Sequence, residues 1–190
     1  AGDLVNMETL YIFKEFFNKT LESNNVESRS EHTYLNPKKR ENYLFNSKIN
    51  GIEEADFILL VGSNPRFEAT ILNARIRKSY LQNKTKIISL NDVGDLTYPY
   101  ESLDGDIENI KDIVEDNHLI SDVIKKAKKP LIIFGQSALK TKSAKYIFES
   151  FKYFLEKNNK ISDEWNSLNT ISENAATVGG LDLGVYKTED

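Results

Sequence analysis

Ala55-Asp-Phe-Ile-Leu-Leu-Val-Gly-Ser-Asn-Pro-Arg-Phe-Glu-Ala-Thr-Ile-Leu-Asn-Ala-Arg-Ile-Arg-Lys-Ser-Tyr80 is the stretch that decides the fold. Phe57 to Val61 is an unbroken apolar run of strand length, the pattern of a strand covered on both faces in a parallel sheet. Gly62 ends it. Asn64 precedes Pro65, and the residue before a proline is pushed into the extended geometry that an N-cap needs. Pro65 suits the first helical position, where its missing N–H is harmless. Glu68 falls near the positive end of the helix dipole, and Arg75, Arg77 and Lys78 fall toward the negative end. Ala69, Leu72, Ile76 and Tyr80 recur at helical spacing and predict one helix running to Tyr80, packed on the sheet by that stripe. Strand, tight turn and helix in this order predict an α/β fold with a Rossmann-like, mostly parallel sheet flanked by helices.

Outward from this unit the pattern repeats. Lys86-Ile-Ile-Ser-Leu90 reads as the next buried strand, giving a β-α-β crossover expected to be right-handed. Asn91 to Asp106, with Gly94, Pro99 and Gly105, reads as a loop. Ile107, Ile110 and Val114 predict a short helix, and Leu119 to Ala127 a second with Val123 and Ile124 inward, stopped by Pro130. Leu131-Ile-Ile-Phe134 and Gly135 form another strand and turn. Lys142 to Lys157 then reads as a helix with Ala144, Ile147, Phe148, Phe151 and Leu155 inward. Trp165 and the aromatics Phe148, Phe151, Tyr153 and Phe154 are expected in a core or a partner surface. Upstream, Glu8 to Leu21 predicts an amphipathic helix with Leu10, Phe13, Phe17 and Leu21 on one face. The segment from about 23 to 50, with its Lys38-Lys39-Arg40 cluster, reads as irregular and solvated, and the tail from about 165 to 190 fits neither period. Ala1-Gly2-Asp3 looks like the turn after a strand, so the expectation is that an upstream piece is missing or comes from another chain.

Composition narrows the function. A chain of 190 residues that is 39% hydrophobic and 28% charged has the profile of one globular unit with a real core. A net charge of −4 and a pI near 5.4 supply no basic field for nucleic acid. No apolar run approaches the roughly 20 residues that cross a bilayer, so no direct membrane insertion is expected. Asp3 and Glu8 stand where a signal peptide would carry a basic region. With no cysteine, this chain has no disulfide, no thiolate zinc site and no cysteine-ligated iron–sulfur cluster. The lean toward Asn, Lys, Ile, Tyr and Phe is what an AT-rich coding sequence, such as a mitochondrial genome, produces.

Ile52-Glu-Glu-Ala-Asp56, Leu60-Val-Gly-Ser-Asn-Pro-Arg-Phe-Glu-Ala69 and Asn73-Ala-Arg-Ile-Arg-Lys78 together resemble the molybdopterin-oxidoreductase-like domain of the large, 75 kDa-type iron–sulfur subunits of respiratory complex I. Arg40-Glu-Asn-Tyr-Leu-Phe-Asn46, Asp95-Leu-Thr-Tyr98 and Gly180-Leu-Asp-Leu-Gly184 extend the likeness over most of the chain. The resemblance implies a single incomplete lobe over 1–190, structural rather than catalytic, in the peripheral arm of NADH:ubiquinone oxidoreductase. It implies iron–sulfur clusters and FMN in partner chains, none in this one, with other peripheral-arm subunits and an iron–sulfur-bearing N-terminal portion as partners. The implied location is the matrix side of the mitochondrial inner membrane, or the cytoplasmic side of a bacterial one.

The candidate chemistry is confined to a few residues. Gly62-Ser63-Asn64-Pro65-Arg66 could offer helix N–H groups to an anion or nucleotide, but Pro65 removes a donor and no Gly-x-Gly-x-x-Gly or Walker pattern is present. In active molybdopterin enzymes the comparable turn helps hold the nucleotide part of the cofactor; the resemblance to complex I implies an inherited turn without a ligand. Arg66, Glu68, Arg75 and Arg77 are candidates for buried ion pairs that fix helix packing or for a subunit interface, and Asn73 is a further packing or interface candidate. Arg75 and Arg77, two apart, do not share a helical face, and one is expected inward. His32 and His118 lack partners at metal spacing and read as surface residues. Ser63 and Ser137 sit in no Gly-x-Ser-x-Gly elbow and read as caps or turn formers. Two rival readings remain: a lobe of an active molybdopterin oxidoreductase such as a formate dehydrogenase, and a free-standing nucleotide-binding domain.

Overall fold

The computed structural model describes residues 2, 4–28 and 33–186. Ala1, Asp3 and His32 therefore lie outside the described residues. The elements, in order, are α1 (Met7–Glu15), a π turn (Phe16–Thr20), two 3-10 turns (Arg40–Tyr43 and Asn50–Glu54), β1 (Phe57–Val61), α2 (Pro65–Glu68), α3 (Thr70–Asn83), β2 (Lys86–Leu90) and β3 (Glu101–Leu103). Then come α4 (Ile107–Val114), α5 (Leu119–Lys126), β4 (Pro130–Phe134), α6 (Gln136–Leu139), α7 (Ala144–Lys157), β5 (Leu168–Thr170) and α8 (Ala175–Asp182).

The five strands form one sheet in the order β3-β2-β1-β4-β5, every pair parallel. β1 lies at the centre, and every residue of β1 and β4 is buried. Alternation sends their side chains into two separate cores. Phe57, Leu59 and Val61 join Ile132, Phe134 and the aromatics of α7 on one face. Ile58 and Leu60 join Leu131, Ile133, Ile52 and Ile76 on the other. The unbroken apolar run is thus explained by helices on both sides. On the α7 face, Phe134 meets Phe148 and Phe151 at centroid distances of 5.1 and 5.7 Å, tilted and edge-on.

Several expectations need correction. The helix after β1 is not continuous: Ala69, at φ −155° and ψ 72°, separates α2 from α3. This break lets the first turn point Glu68 toward the end of the sheet while α3 lies along it. The stripe itself holds, with Ile76 fully buried and Ala69, Leu72 and Tyr80 against the same core. The loop after β2 contains the edge strand β3. Pro130 does not stop a helix but opens β4, as a proline can at the first position of a strand. The tail holds β5 and α8. β5 escapes the pattern because its Asn169 is fully buried yet satisfied by Ser47, donating through Nδ2 to Oγ at 3.1 Å and accepting the Ser47 N–H at 2.9 Å. The segment from 33 to 50 is irregular and its Lys38-Lys39-Arg40 cluster is exposed, as expected, but its neighbours anchor it: Tyr34 donates to Glu149 at 2.7 Å, and buried Lys152 donates to the Asn42 side chain at 2.7 Å. In the N-terminal helix only Leu10 is buried, and Leu21 is exposed. Tyr153 points to solvent, 67% exposed, while Phe148, Phe151 and Phe154 are core. Trp165 is part-buried and donates its indole N–H to the Pro130 carbonyl at 2.9 Å.

Phe151→Ala should lower the unfolding free energy by about 3–5 kcal/mol, because the ring is fully enclosed. Tyr153→Ala, on the same helix, should stay within about 0.5 kcal/mol. Urea unfolding of the two variants checks the contrast.

Candidate functional site

Strand order reverses beside β1, with β2 on one side and β4 on the other, so the crevice beyond the C-terminal ends of β1 and β4 is the switch point at which open α/β sheets bind ligands. Here two turns meet. Gly135 donates its N–H to the Val61 carbonyl at 3.0 Å, and Ser137 donates to the Gly62 carbonyl at 3.1 Å. The approach is so close that a methyl on Gly62 would strike the Ala138 backbone nitrogen, and one on Gly135 would strike Ser63 Cα. Gly62 also holds φ at +55°, which favours glycine.

Glu68 closes the crevice. Its carboxylate accepts the Asn64 N–H at 2.7 Å through Oε1 and the Gln136 N–H at 3.1 Å through Oε2. One side chain thus takes a donor from each turn, across the point where a phosphate would lie. Asn64 caps α2 by accepting the Arg66 N–H at 3.2 Å. Ser63, expected as a cap, is instead fully buried with its hydroxyl unpartnered among the described residues, and Ser137 serves the turn through its backbone.

Polar residues of the same motif converge on the loop from Asp92 to Tyr100. Asn64 donates through Nδ2 to the Val93 carbonyl at 2.9 Å, and Arg66 donates to the Asp95 carbonyl and carboxylate, both at 2.7 Å. Buried Asn73 donates to the Leu96 carbonyl at 3.0 Å and accepts the Tyr98 hydroxyl at 2.7 Å. Arg77 donates Nε to the Thr97 carbonyl at 3.2 Å. The Asp95 carboxyl is held below its ordinary range, first by the Thr97 N–H and then by Arg66. Burial raises the Tyr98 phenol, which stays a donor. Thr97 sits at φ +73°, an unfavourable setting for a β-branched residue that these bonds sustain.

Arg75 is half-buried and Arg77 exposed, so the two divide between inward and outward as expected, and Arg75 makes a part-buried ion pair with Glu53. Arg75 and Lys78 pair with Glu53, holding α3 to the 3-10 turn before β1; the hydrogen bond from Lys78 is the main reason the Glu53 carboxyl lies below its usual range. The surface helices leave both arginines within reach of nearby acceptors, where exchange with water makes each bond modest. His118 is half-buried and caps α5, its Nδ1 accepting the Ile120 N–H at 3.2 Å. Among the described residues no group of His, Asp and Glu is arranged to hold a metal. Sequence reasoning missed Gln136, Asp95, Asp182 and the hub role of Glu53; Glu53, Asp95 and Asp182 stand inside the family-like stretches, while Gln136 offers no side-chain signal because it acts through its N–H.

A family model described as molybdopterin oxidoreductase matches residues 1–190. The chain belongs to the molybdopterin oxidoreductase family. The chain is similar to the NADH-ubiquinone oxidoreductase 75 kDa subunit of Reclinomonas americana, 36% identical over all of this chain and 29% of that protein. The mitochondrial NADH dehydrogenase [ubiquinone] iron-sulfur protein 1 of Solanum tuberosum is 34% identical over all of this chain and 26% of its own length. An NADH-quinone oxidoreductase subunit of Rickettsia bellii is 32% identical over 97% of this chain and 27% of that protein. The chain thus spans 26 to 29% of these relatives. At the switch point the Asn64 and Gln136 N–H groups both face the Glu68 carboxylate, and the two turns are in backbone contact.

Asp182 of this family domain ties the segment before the sheet to α8. It accepts three hydrogen bonds from Arg40, from Nε at 3.0 and 3.2 Å and from Nη2 at 2.9 Å, and one from the Tyr43 hydroxyl at 2.8 Å. Arg40 is the main cause holding its carboxyl below the ordinary aspartate value, while burial pushes the Tyr43 phenol up to about 12. A depressed folded pKa adds stability that is present above the unfolded value and lost as pH falls through the folded one. The gap in unfolding free energy between wild type and Asp182→Asn should therefore be constant near neutrality and shrink on acidification below the aspartate range. Asn73→Ala should cost about 1–3 kcal/mol by orphaning the Leu96 carbonyl and Tyr98 hydroxyl, and limited proteolysis should find the loop from Asp92 to Tyr100 opened first.

Proposed function

We propose that this chain is a non-catalytic structural lobe of NADH:ubiquinone oxidoreductase, bracing the iron–sulfur-bearing part of the peripheral arm during electron transfer from NADH to ubiquinone. Glu68 carries this reading. A turn that in a cofactor-binding relative would present N–H groups to a phosphate here spends them on a side chain of its own helix, joining β1 to β4. The same bonds stiffen the middle of the sheet, which is what a brace requires. The names of the relatives, all complex I subunits, support the assembly to which the lobe is assigned. Clusters and FMN belong to partner chains in this reading, since a chain without cysteine ligates no cluster through thiolate. Its partners are other peripheral-arm subunits, on the matrix side of the mitochondrial inner membrane or the cytoplasmic side of a bacterial one.

Native electrophoresis of solubilised membranes tests the assignment: the chain should co-migrate with NADH dehydrogenase activity, and its consistent separation from that activity sinks it. Metal analysis of the same assembly addresses the rival, since stoichiometric molybdenum or tungsten against this lobe would favour a formate dehydrogenase-like enzyme. Glu68→Ala should destabilise the lobe by about 1–3 kcal/mol through two unsatisfied backbone donors.

A further inference from the structure

The loop from Asp92 to Tyr100 follows a strained path. Gly94 and Thr97 take φ of +75° and +73°, and Asn91 just before the loop takes +78°. Non-glycine backbone in this region persists only where its surroundings over-determine it. Inside the loop the knot is the Tyr100 hydroxyl, which lies 2.6 Å from the Asp92 carboxylate and 3.0 Å from the Gly94 carbonyl and accepts the Val93 N–H at 3.1 Å.

Asn64 ties this loop to the seam between β1 and β4, and all of its polar groups are engaged. Its Nδ2 donates to the Val93 carbonyl at 2.9 Å, and its Oδ1 accepts the Arg66 N–H at 3.2 Å. Its carbonyl accepts the Phe67 and Glu68 N–H groups at 3.0 and 2.9 Å. Its own N–H donates to Glu68 Oε1 at 2.7 Å, and the other oxygen of that carboxylate holds the Gln136 N–H at 3.1 Å. A continuous line of bonds therefore runs from Val93 through Asn64 and Glu68 to Gln136. Pro65 bars Asn64 from helical backbone, so no helical ladder fixes the direction of the Asn64 N–H; the grip of its side chain on Val93 does.

We propose that the loop from Asp92 to Tyr100 is a strap on the switch point, with Asn64 as the buckle. While Tyr100 keeps the loop knotted, Val93 holds Asn64 and Glu68 spans both turns. When the loop opens, Asn64 turns, Glu68 releases Gln136, and the two turns part in the same local event, without unfolding of the sheet. Coupling of this kind needs an element that both ends bias, and Asn64 is the residue they share. Arg66 is a second tie to Asp95, but both side chains are exposed and water competes for the bond. The coupling belongs to this chain's own residues and is independent of the assembly that the chain joins.

Hydrogen exchange read at single amides, on the chain in its native assembly, tests it. Tyr100→Phe removes the knot, whose hydrogen-bond partners all lie within the loop. It should speed exchange at Gly94 and Thr97 by about five- to tenfold, as loss of such hydrogen bonds does, and speed Gln136 by the same factor, while the amides of β4 keep their rates. Asn64→Ser keeps a capping oxygen for α2 and the N–H to Glu68 but does not reach Val93. In that background Tyr100→Phe should still speed the loop amides and leave Gln136 within about twofold. A Gln136 amide that ignores Tyr100→Phe, or that responds as fully in the Asn64→Ser background, overturns the strap. So does an equal response of β4, which marks global unfolding, or a loop indifferent to losing the hydroxyl.

Discussion

β1 and β4 have no solvent face, and that constraint organises the molecule. Ten strand positions, five in each, are buried, so helices must cover both sides, and the two strands must lie side by side in register from Phe57 opposite Pro130 to Val61 opposite Phe134. Parallel register brings both strand ends, and hence both following turns, to one point. Only glycine at 62 and 135 lets those turns touch without collision. What would be a ligand crevice in an open sheet becomes a seam, and Glu68 sews it with a bond to each side.

The loop from Asp92 to Tyr100 depends on the same arrangement. β2 and β3 are parallel neighbours joined by ten residues and no helix, a short crossover for strands that run the same way. Asn91, Gly94 and Thr97 take positive φ to make it. The energy to hold such a path comes from side chains of α2 and α3 and the cap between β1 and α2: Asn64, Arg66, Asn73 and Arg77 each bind a different carbonyl along it. The polar residues of the motif therefore act as one clamp, and the buried pair Asn73 and Tyr98 contributes most, because exposed arginine contacts exchange with water.

A single logic connects clamp and seam. Groups that could face a ligand are instead satisfied from within, which rigidifies the carboxyl end of the sheet and removes the donors that a phosphate would use.

Periodicity and composition by themselves determined the α/β class, the two central strands, the inward faces of α3, α5 and α7, and the exclusion of thiolate chemistry; the quoted strings determined the family. These are local properties, since an apolar run or a helical stripe is written in consecutive residues. Tertiary structure alone decided that Ala69 breaks the helix, that Asn169 is buried in a strand beside Ser47, that Arg75 finds Glu53 as its partner, and that Glu68 meets Gln136, 68 residues away. Each depends on which elements become neighbours once the sheet closes, and a backbone N–H such as that of Gln136 carries no mark in the residue type that bears it.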